Sequence, residues 1–290
     1  MYKFSFVILH YQAIDETKEC VNSIFKNVEY QNYSIVIVDN CSPNNSGQEL
    51  MNYYRNNEKV TVLLNSENNG FAKGNNIGYQ YAKDYLGAKF IACINNDTLI
   101  EDAEFITKVI KLYENEKFHL MGPDIITLDG KHQNPYRMNA LSLVEVNHFL
   151  SNFNKIKNTT IIKAYLRKIP LLPKLVRMVK GNKNQQTNYL RQYQDIVLHG
   201  AAIIFSPLYI EKETYAFYPK TFMYAEEDIL YHLCKKKGYK ILYSPVTSIL
   251  HKEDASTDLV IKTNVAKLNF IFKHLRDSYL ILKDLLEKIH

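Results

Sequence analysis

The apolar run Phe90-Ile91-Ala92-Cys93-Ile94 stops in three polar side chains, Asn95, Asn96 and Asp97, a grouping suited to holding a metal ion and a sugar-phosphate. An uninterrupted apolar run of this length reads as a buried parallel strand. Open α/β sheets take their ligands beyond the carboxyl ends of such strands. Asn and Asp also favour ordinary turns, so the tip alone decides nothing. Its company matters more: Asp39 ends a second apolar run and Tyr11 follows a first.

A different chemistry is suggested by Glu226-Glu227-Asp228, which opens an apolar helix after Phe222-Met223-Tyr224. Acids in a first helical turn complement the helix dipole, yet three in succession exceed what a cap needs. A carboxyl raised by burial and by its neighbours could act as a general base. Between these groups lies Asn69-Gly70 to Gly78, with glycines at 70, 74 and 78. They permit close backbone approach ahead of a helix N-terminus. The segment is neither GxGxxG nor a Walker A loop, and phosphate contact and plain helix entry both remain open.

Positioning these groups requires alternating elements. Strands are expected at Phe4–Leu9, Ser34–Val38, Val60–Leu64 and Phe90–Ile94. Helices are expected at Thr17–Asn27, Gln48–Asn56 and from Gly78 to about Leu86. Such alternation specifies right-handed βαβ units and a parallel sheet, with the loops after the first, second and fourth strands at one edge. A helix over Glu101–Glu114, strands at Leu120–Ile126, Ile196–Phe205 and Ile241–Tyr243, and a helix from the acidic triplet to Gly238 follow. His199, within the small-residue strand His199-Gly200-Ala201-Ala202, reads by itself as a core histidine, while the small residues leave room for something to lie against it.

From Val146 to Gln194 no acidic residue occurs, against ten lysines and arginines interleaved with apolar residues. That pattern suits an anionic membrane surface or a lipid phosphate, and equally an excursion packing its leucines on the domain. Val265, Leu268, Phe272, Leu275, Tyr279, Leu282, Leu286 and Ile289 repeat at spacings of three and four. This heptad stripe predicts a long helix that packs on the domain or, the preferred expectation, forms a homodimer seam.

The 290 residues suit one large α/β domain, alone or with an appendage. A net charge of +6 weakly favours anionic partners, and no nucleic-acid motif accompanies it. Cys20, Cys41, Cys93 and Cys234 form no CxxC pair, so neither a zinc site nor a disulfide framework is signalled and a reducing cytoplasm fits. Met1–Tyr11 is too short and strand-like for a signal peptide, and no apolar run reaches the roughly 18 residues of a membrane span; a soluble or peripheral protein is expected.

With these residues placed, the chain resembles the family 2 glycosyltransferases of the GT-A fold, of the type that builds bacterial capsule, lipopolysaccharide and other cell-wall glycans. The matching pieces are Phe6-Val7-Ile8-Leu9-His10-Tyr11, Val36-Ile37-Val38-Asp39-Asn40-Cys41-Ser42, Asn69 to Gly78, Ile94-Asn95-Asn96-Asp97, His199-Gly200-Ala201-Ala202, Met223 to Asp228, and His251. They keep the family's order from residue 4 to about 257.

The resemblance implies a Rossmann-like, mostly parallel α/β sheet flanked by helices over residues 1–257. Its nucleotide-binding half would be 1–100 and its acceptor-binding half 101–257, with a basic insertion at 146–194 and a C-terminal helix over 258–290. It places Asp39 on the nucleotide base with Tyr11 beside it, Asn69, Gly70 and Asn75 along the nucleotide pocket, and Asn95 on the ribose with Asn96 next to it. Asp97, with His251 in support, would ligate Mg²⁺ or Mn²⁺. The chain departs from the family's Asp-x-Asp, since Asn95 replaces the first acid and adds no charge to the metal site. The general base falls in Glu226-Glu227-Asp228. Ungapped counting from Gly238 and Leu230 selects Glu227, residue type selects Asp228, and Asp228 is narrowly preferred.

The implied activity is inverting transfer from a UDP- or dTDP-linked sugar to a hydroxyl of a lipid-linked or polysaccharide acceptor at the inner face of the cell membrane. UDP-galactose, UDP-N-acetylglucosamine, UDP-galactofuranose and dTDP-rhamnose are all compatible donors. A sugar-nucleotide nucleotidyltransferase would need an N-terminal Gly-rich, Arg-Lys loop that is missing. A non-catalytic carbohydrate-binding protein on the same fold would leave the carboxylates idle.

Overall fold

The computed structural model describes residues 1–167, 187–253 and 264–289. Its first half is the alternation the sequence predicts: β1 (Phe4–His10), α1 (Ile14–Asn27), β2 (Tyr33–Asp39), α2 (Ser46–Tyr54), β3 (Val60–Leu64), α3 (Gly70–Gln80) continued by a π-helical turn (Tyr81–Tyr85), and β4 (Phe90–Asn95). β1 lies between β2 and β4, parallel to both, and β3 pairs with β2. The register sets His10 beside Asp39 and Leu9 beside Asn95, so three strand ends share one edge.

Alternation of side chains along β1 explains the two covered faces. Phe4, Phe6 and Ile8 pack with Cys20, Val21 and Ile24 of α1 and with Phe105 and Val109 of α4 (Phe105–Glu116). Val7, with Val36 and Val38, faces Ala72 and Tyr79 of α3. The glycine-rich segment is itself helix α3 rather than a loop feeding a helix. A Cβ at Gly74 would meet Leu9 Cδ1 at 2.5 Å and one at Gly78 would meet Val7 Cγ1 at 2.4 Å. Those two glycines bring α3 down onto β1, which is a packing role and not a phosphate cradle.

The second half extends the sheet through β5 (Thr98–Leu99), β6 (Leu120–Thr127), β7 (Tyr193–Gln194), β8 (Ala202–Phe205) and β9 (Ile241–His251), in the order β3-β2-β1-β4-β8-β6-β9-β5. β8 runs antiparallel to β4 and β6. The expected strand over 196–205 pairs in the sheet only from Ala202, because the backbone turns at His199-Gly200-Ala201. Among the described residues, α5 (Leu143–Arg167) is followed by α6 (Pro207–Ile210), α7 (Glu226–Lys236) and α8 (Asn264–Ile289).

The C-terminal stripe packs on the chain's own helices, the alternative to the expected dimer seam. Leu268, Phe272, Leu275, Tyr279, Leu282 and Leu286 are buried against α5 and α7. The Tyr279 ring lies 4.4 Å from Phe149 and the Phe272 ring 5.7 Å from Phe153. The basic stretch begins as α5, whose inner face supplies those aromatics; its leucine-rich part, 168–186, lies outside the described residues.

Candidate active site

At the sheet edge Asp39 is 5% exposed, and its carboxylate oxygens accept from the Ser42 amide at 3.3 and 3.2 Å. Gly47 makes room for it, since a Cβ there would fall 2.2 Å from Oδ2. Asn40 clamps the following loop. Its Nδ2 donates to Asn68 Oδ1 (2.9 Å) and the Gly70 carbonyl (3.1 Å), while its Oδ1 accepts from Asn65 (3.1 Å) and the Asn69 amide (3.0 Å). Gly70 is left-handed (φ +72°), and a Cβ there would meet the Phe222 carbonyl at 2.2 Å. Phe71 N donates to that carbonyl at 2.6 Å, which joins the Asn69–Gly70 loop to the acidic segment.

Below the edge, His10 is fully buried. The Thr17 hydroxyl donates to the Ala13 carbonyl (3.0 Å), so its oxygen accepts from His10 Nδ1 at 2.7 Å and from Asn96 Nδ2 at 3.1 Å. Ser46 Oγ is 2.8 Å from His10 Nε2. Burial lowers the His10 pKa to about 4, against the opposing pull of Asp39.

Asn95 and Asn96 therefore part company. Asn95 borders a cavity of about 160 Å³ shared with Phe71, Tyr136, His199, Glu226, Glu227 and Tyr279. Asn96 is turned away into the start of α1, so its amide serves the frame rather than the cavity. Tyr11 is half-buried at the edge, and Asn75, behind it in α3, spends its amide on the Phe71 carbonyl at 3.0 Å.

The three acids of the triplet also separate. Asp228 is 2% exposed, ion-paired with Arg137 and accepting from the Leu141 amide at 2.9 Å. Both its oxygens are engaged. Glu226 is 3% exposed; burial and then the neighbouring Glu227 hold its carboxyl well above the usual range, and its Oε1 has no hydrogen-bond partner. Glu227 is half-buried beside the cavity, its Oε1 accepting from the Gly200 amide at 3.3 Å. Tyr224 (φ +75°) and Ala225 (φ +62°) both take left-handed backbone just before it. Strain of this kind, about 1–3 kcal/mol per residue, collects at functional sites.

Asp97 and His251 meet across β5 and β9, where Thr98 pairs with His251. Asp97 Oδ1 is buried without a hydrogen-bond donor, and His251 Nε2 lies 3.2 Å from it. Gln133 Nε2 donates to Glu253, so Gln133 Oε1 is left to accept from His251 Nδ1 at 2.6 Å. In the neutral ring this fixes the proton on Nδ1 and turns the Nε2 lone pair toward the carboxylate. Two converging acceptors fit a cation, and a fixed Nδ1–H partner is typical of metal-bound histidine. Among the described residues no cluster of three or more His, Cys, Asp or Glu side chains forms a complete cage, so the remaining ligands would come from phosphate and water.

Residues 5–185 match the family model for glycosyl transferase family 2. The chain belongs to that family. Among curated relatives, a dTDP-rhamnosyl transferase, RfbF, of Shigella flexneri is 31% identical over 115 residues, covering 40% of this chain and 37% of the relative. Glycosyltransferase GlyG of Streptococcus pneumoniae serotype 4 is 28% identical over 104 residues, 36% of this chain and 33% of the relative. The matched parts thus span about a third of these relatives' length. Among solved structures, S. aureus TarS 1-349 with UDP-GlcNAc covers 93% of this chain and 65% of that one at a TM-score of 0.55 and 15% identity. GalNAc-T7 with UDP, GalNAc and Mn2+ covers 87% and 44% at a TM-score of 0.59 and 16% identity. These neighbours establish the GT-A fold.

Placed on this family 2 frame, Asp39, Asn69, Gly70, Asn95, Asp97, His251 and Glu227 gather along one edge and its cavity. Sequence reasoning missed Tyr136, Arg137, Gln133 and Tyr279, whose partners are remote in the chain. Tyr279 was visible only as one more apolar position of the C-terminal stripe. The four cysteines are free, and three of them are buried. No described helix is long and apolar enough to cross a membrane.

Proposed function

We propose that this family 2 chain transfers a sugar, with inversion, from a nucleoside-diphosphate sugar to a hydroxyl of a lipid-linked or polysaccharide acceptor, with Glu227 as general base. The supporting observation is that Glu227 and Asp228 both border the same cavity as Asn95, and of the two it is Asp228 that is ion-paired with Arg137. Asp39 would accept from the base, the Asn69–Gly70 loop would line the nucleotide, and Asn95 would hydrogen-bond the ribose. Glu227 removes the proton of the acceptor hydroxyl as its oxygen attacks the anomeric carbon, and the nucleoside diphosphate leaves on the opposite side. Gly200 N–H orients the Glu227 carboxylate during that step.

Asp97 and His251 would hold Mg²⁺ or Mn²⁺, which supplies positive charge to the leaving diphosphate. The relatives' names direct the donor search to dTDP- and UDP-sugars. Incubation with a panel of such donors and a glycan acceptor should release nucleoside diphosphate in step with sugar transfer. Calorimetry with UDP and dTDP, with and without Mn²⁺, should show metal-dependent binding, and its absence for both nucleotides would overturn the reading.

A further inference from the structure

His199 carries the strongest signal the proposed mechanism leaves unused, since it sits in the cavity wall with its ring orientation and tautomer fixed. Its own amide donates to Asn134 Oδ1 at 2.9 Å, and Asn134 is anchored in turn by donation to the Pro123 carbonyl at 2.8 Å. The Ala201 amide donates to His199 Nδ1 at 3.1 Å. A ring nitrogen that accepts from a backbone N–H bears no proton, so the neutral imidazole carries its proton on Nε2. Tyr136 lies edge-on to the ring at 5.2 Å and 79°. The His251 ring is 5.9 Å away.

The ring thus lies beside His251 of the Asp97–His251 pair, where the diphosphate would be held, and lines the same cavity as Glu227, where the acceptor would be deprotonated. The same turn serves both groups, because Gly200 N–H orients Glu227 while Ala201 N–H orients His199. We infer that His199 Nε2–H donates a hydrogen bond to the distal phosphate of the nucleoside-diphosphate donor, strengthening as negative charge develops on the leaving group. The inference rests on the proposed nucleotide-sugar reading. Preorganised donors aimed at developing charge are a large source of catalysis.

The test separates this contact from the frame. In His199→Asn the amide oxygen takes the place of Nδ1 and keeps the Ala201 bond, while the far donor is lost; His199→Gln returns an amide N–H near the Nε2 position. Calorimetry in Mn²⁺ with wild type and both variants should show His199→Asn binding UDP or dTDP about 10- to 100-fold more weakly, the range for a lost hydrogen bond to a charged group. UMP or dTMP, which lack the distal phosphate, should bind within about twofold of wild type, and His199→Gln should recover part of the diphosphate affinity. Equal losses for mono- and diphosphate, or no loss for either, would overturn the assignment while leaving the enzyme's reading intact. A wild type that binds no nucleotide would overturn both together.

Discussion

The nucleotide edge and the reaction cavity treat polar groups in opposite ways. At the edge, Asp39, Asn40, His10, Thr17 and Asn96 are bonded to one another or to backbone before any ligand arrives. In the cavity Glu226 Oε1, and beside His251 the Asp97 Oδ1, are buried acceptors without hydrogen-bond partners. An unsatisfied buried polar group costs about 1–3 kcal/mol, so the second region stores binding capacity and the first supplies rigidity. The difference separates residues of the same type: Asn95 from Asn96, and Glu227 from Asp228.

Substitution of the adjacent acids should break that pairing most visibly. Glu227→Gln should lower kcat by about 10² to 10⁴ if a general base is lost, with nucleotide affinity and melting temperature kept. Asp228→Asn leaves Arg137 buried without its counter-charge and should cost about 3–5 kcal/mol of stability, read by urea denaturation. A stable but inactive Asp228→Asn together with an active Glu227→Gln would reverse the assignment.

The prepaired region makes its own prediction through His10. The folded pKa of about 4 lies below the ordinary 6.5, so between those values the unfolded chain binds the proton more readily and stability falls as pH drops. That gap corresponds to about 3 kcal/mol, fully present above pH 6.5 and lost by about pH 4. His10→Gln, which cannot titrate, should lose about that much less across the window than wild type in urea melts. Parallel pH profiles would show that His10 is not buried as a neutral ring.

Much of the sheet was legible because buried parallel strands are written as apolar runs, and their shared edge follows from parallel direction alone. The separation of Asn95 from Asn96 was also available, since successive residues at a strand end point to opposite faces. Likewise three consecutive residues entering a helix fan around its axis, so Glu226, Glu227 and Asp228 meet different partners although all three border the cavity. What could not be read is the choice among them. Arg137 neutralises Asp228 from 91 positions away, and Gln133 reaches His251 across 118. The role of α5 was hidden differently: Val146, Phe149 and Phe153 have helical spacing, but their apolar face is explained only by Tyr279 and Phe272 of α8.

A smaller effect would sharpen the account of the metal pair. Gln133 touches neither phosphate nor sugar in the proposed arrangement; its oxygen holds the proton on His251 Nδ1 and so aims the Nε2 lone pair at Asp97. Gln133→Leu removes that restraint while keeping the side chain's bulk. Loss of such an orienting partner typically weakens metal affinity by about 10- to 100-fold, so a Mn²⁺ titration of UDP or dTDP binding should shift to higher metal concentration by that factor. Saturating Mn²⁺ should then restore nucleotide affinity, because the ligands remain. Asp97→Ala removes a ligand outright and should leave no metal-dependent increment at any concentration. Gln133→Leu titrating like wild type would mean that His251 is held by its packing alone, and the polarity of the Gln133 bond would have no part in metal binding.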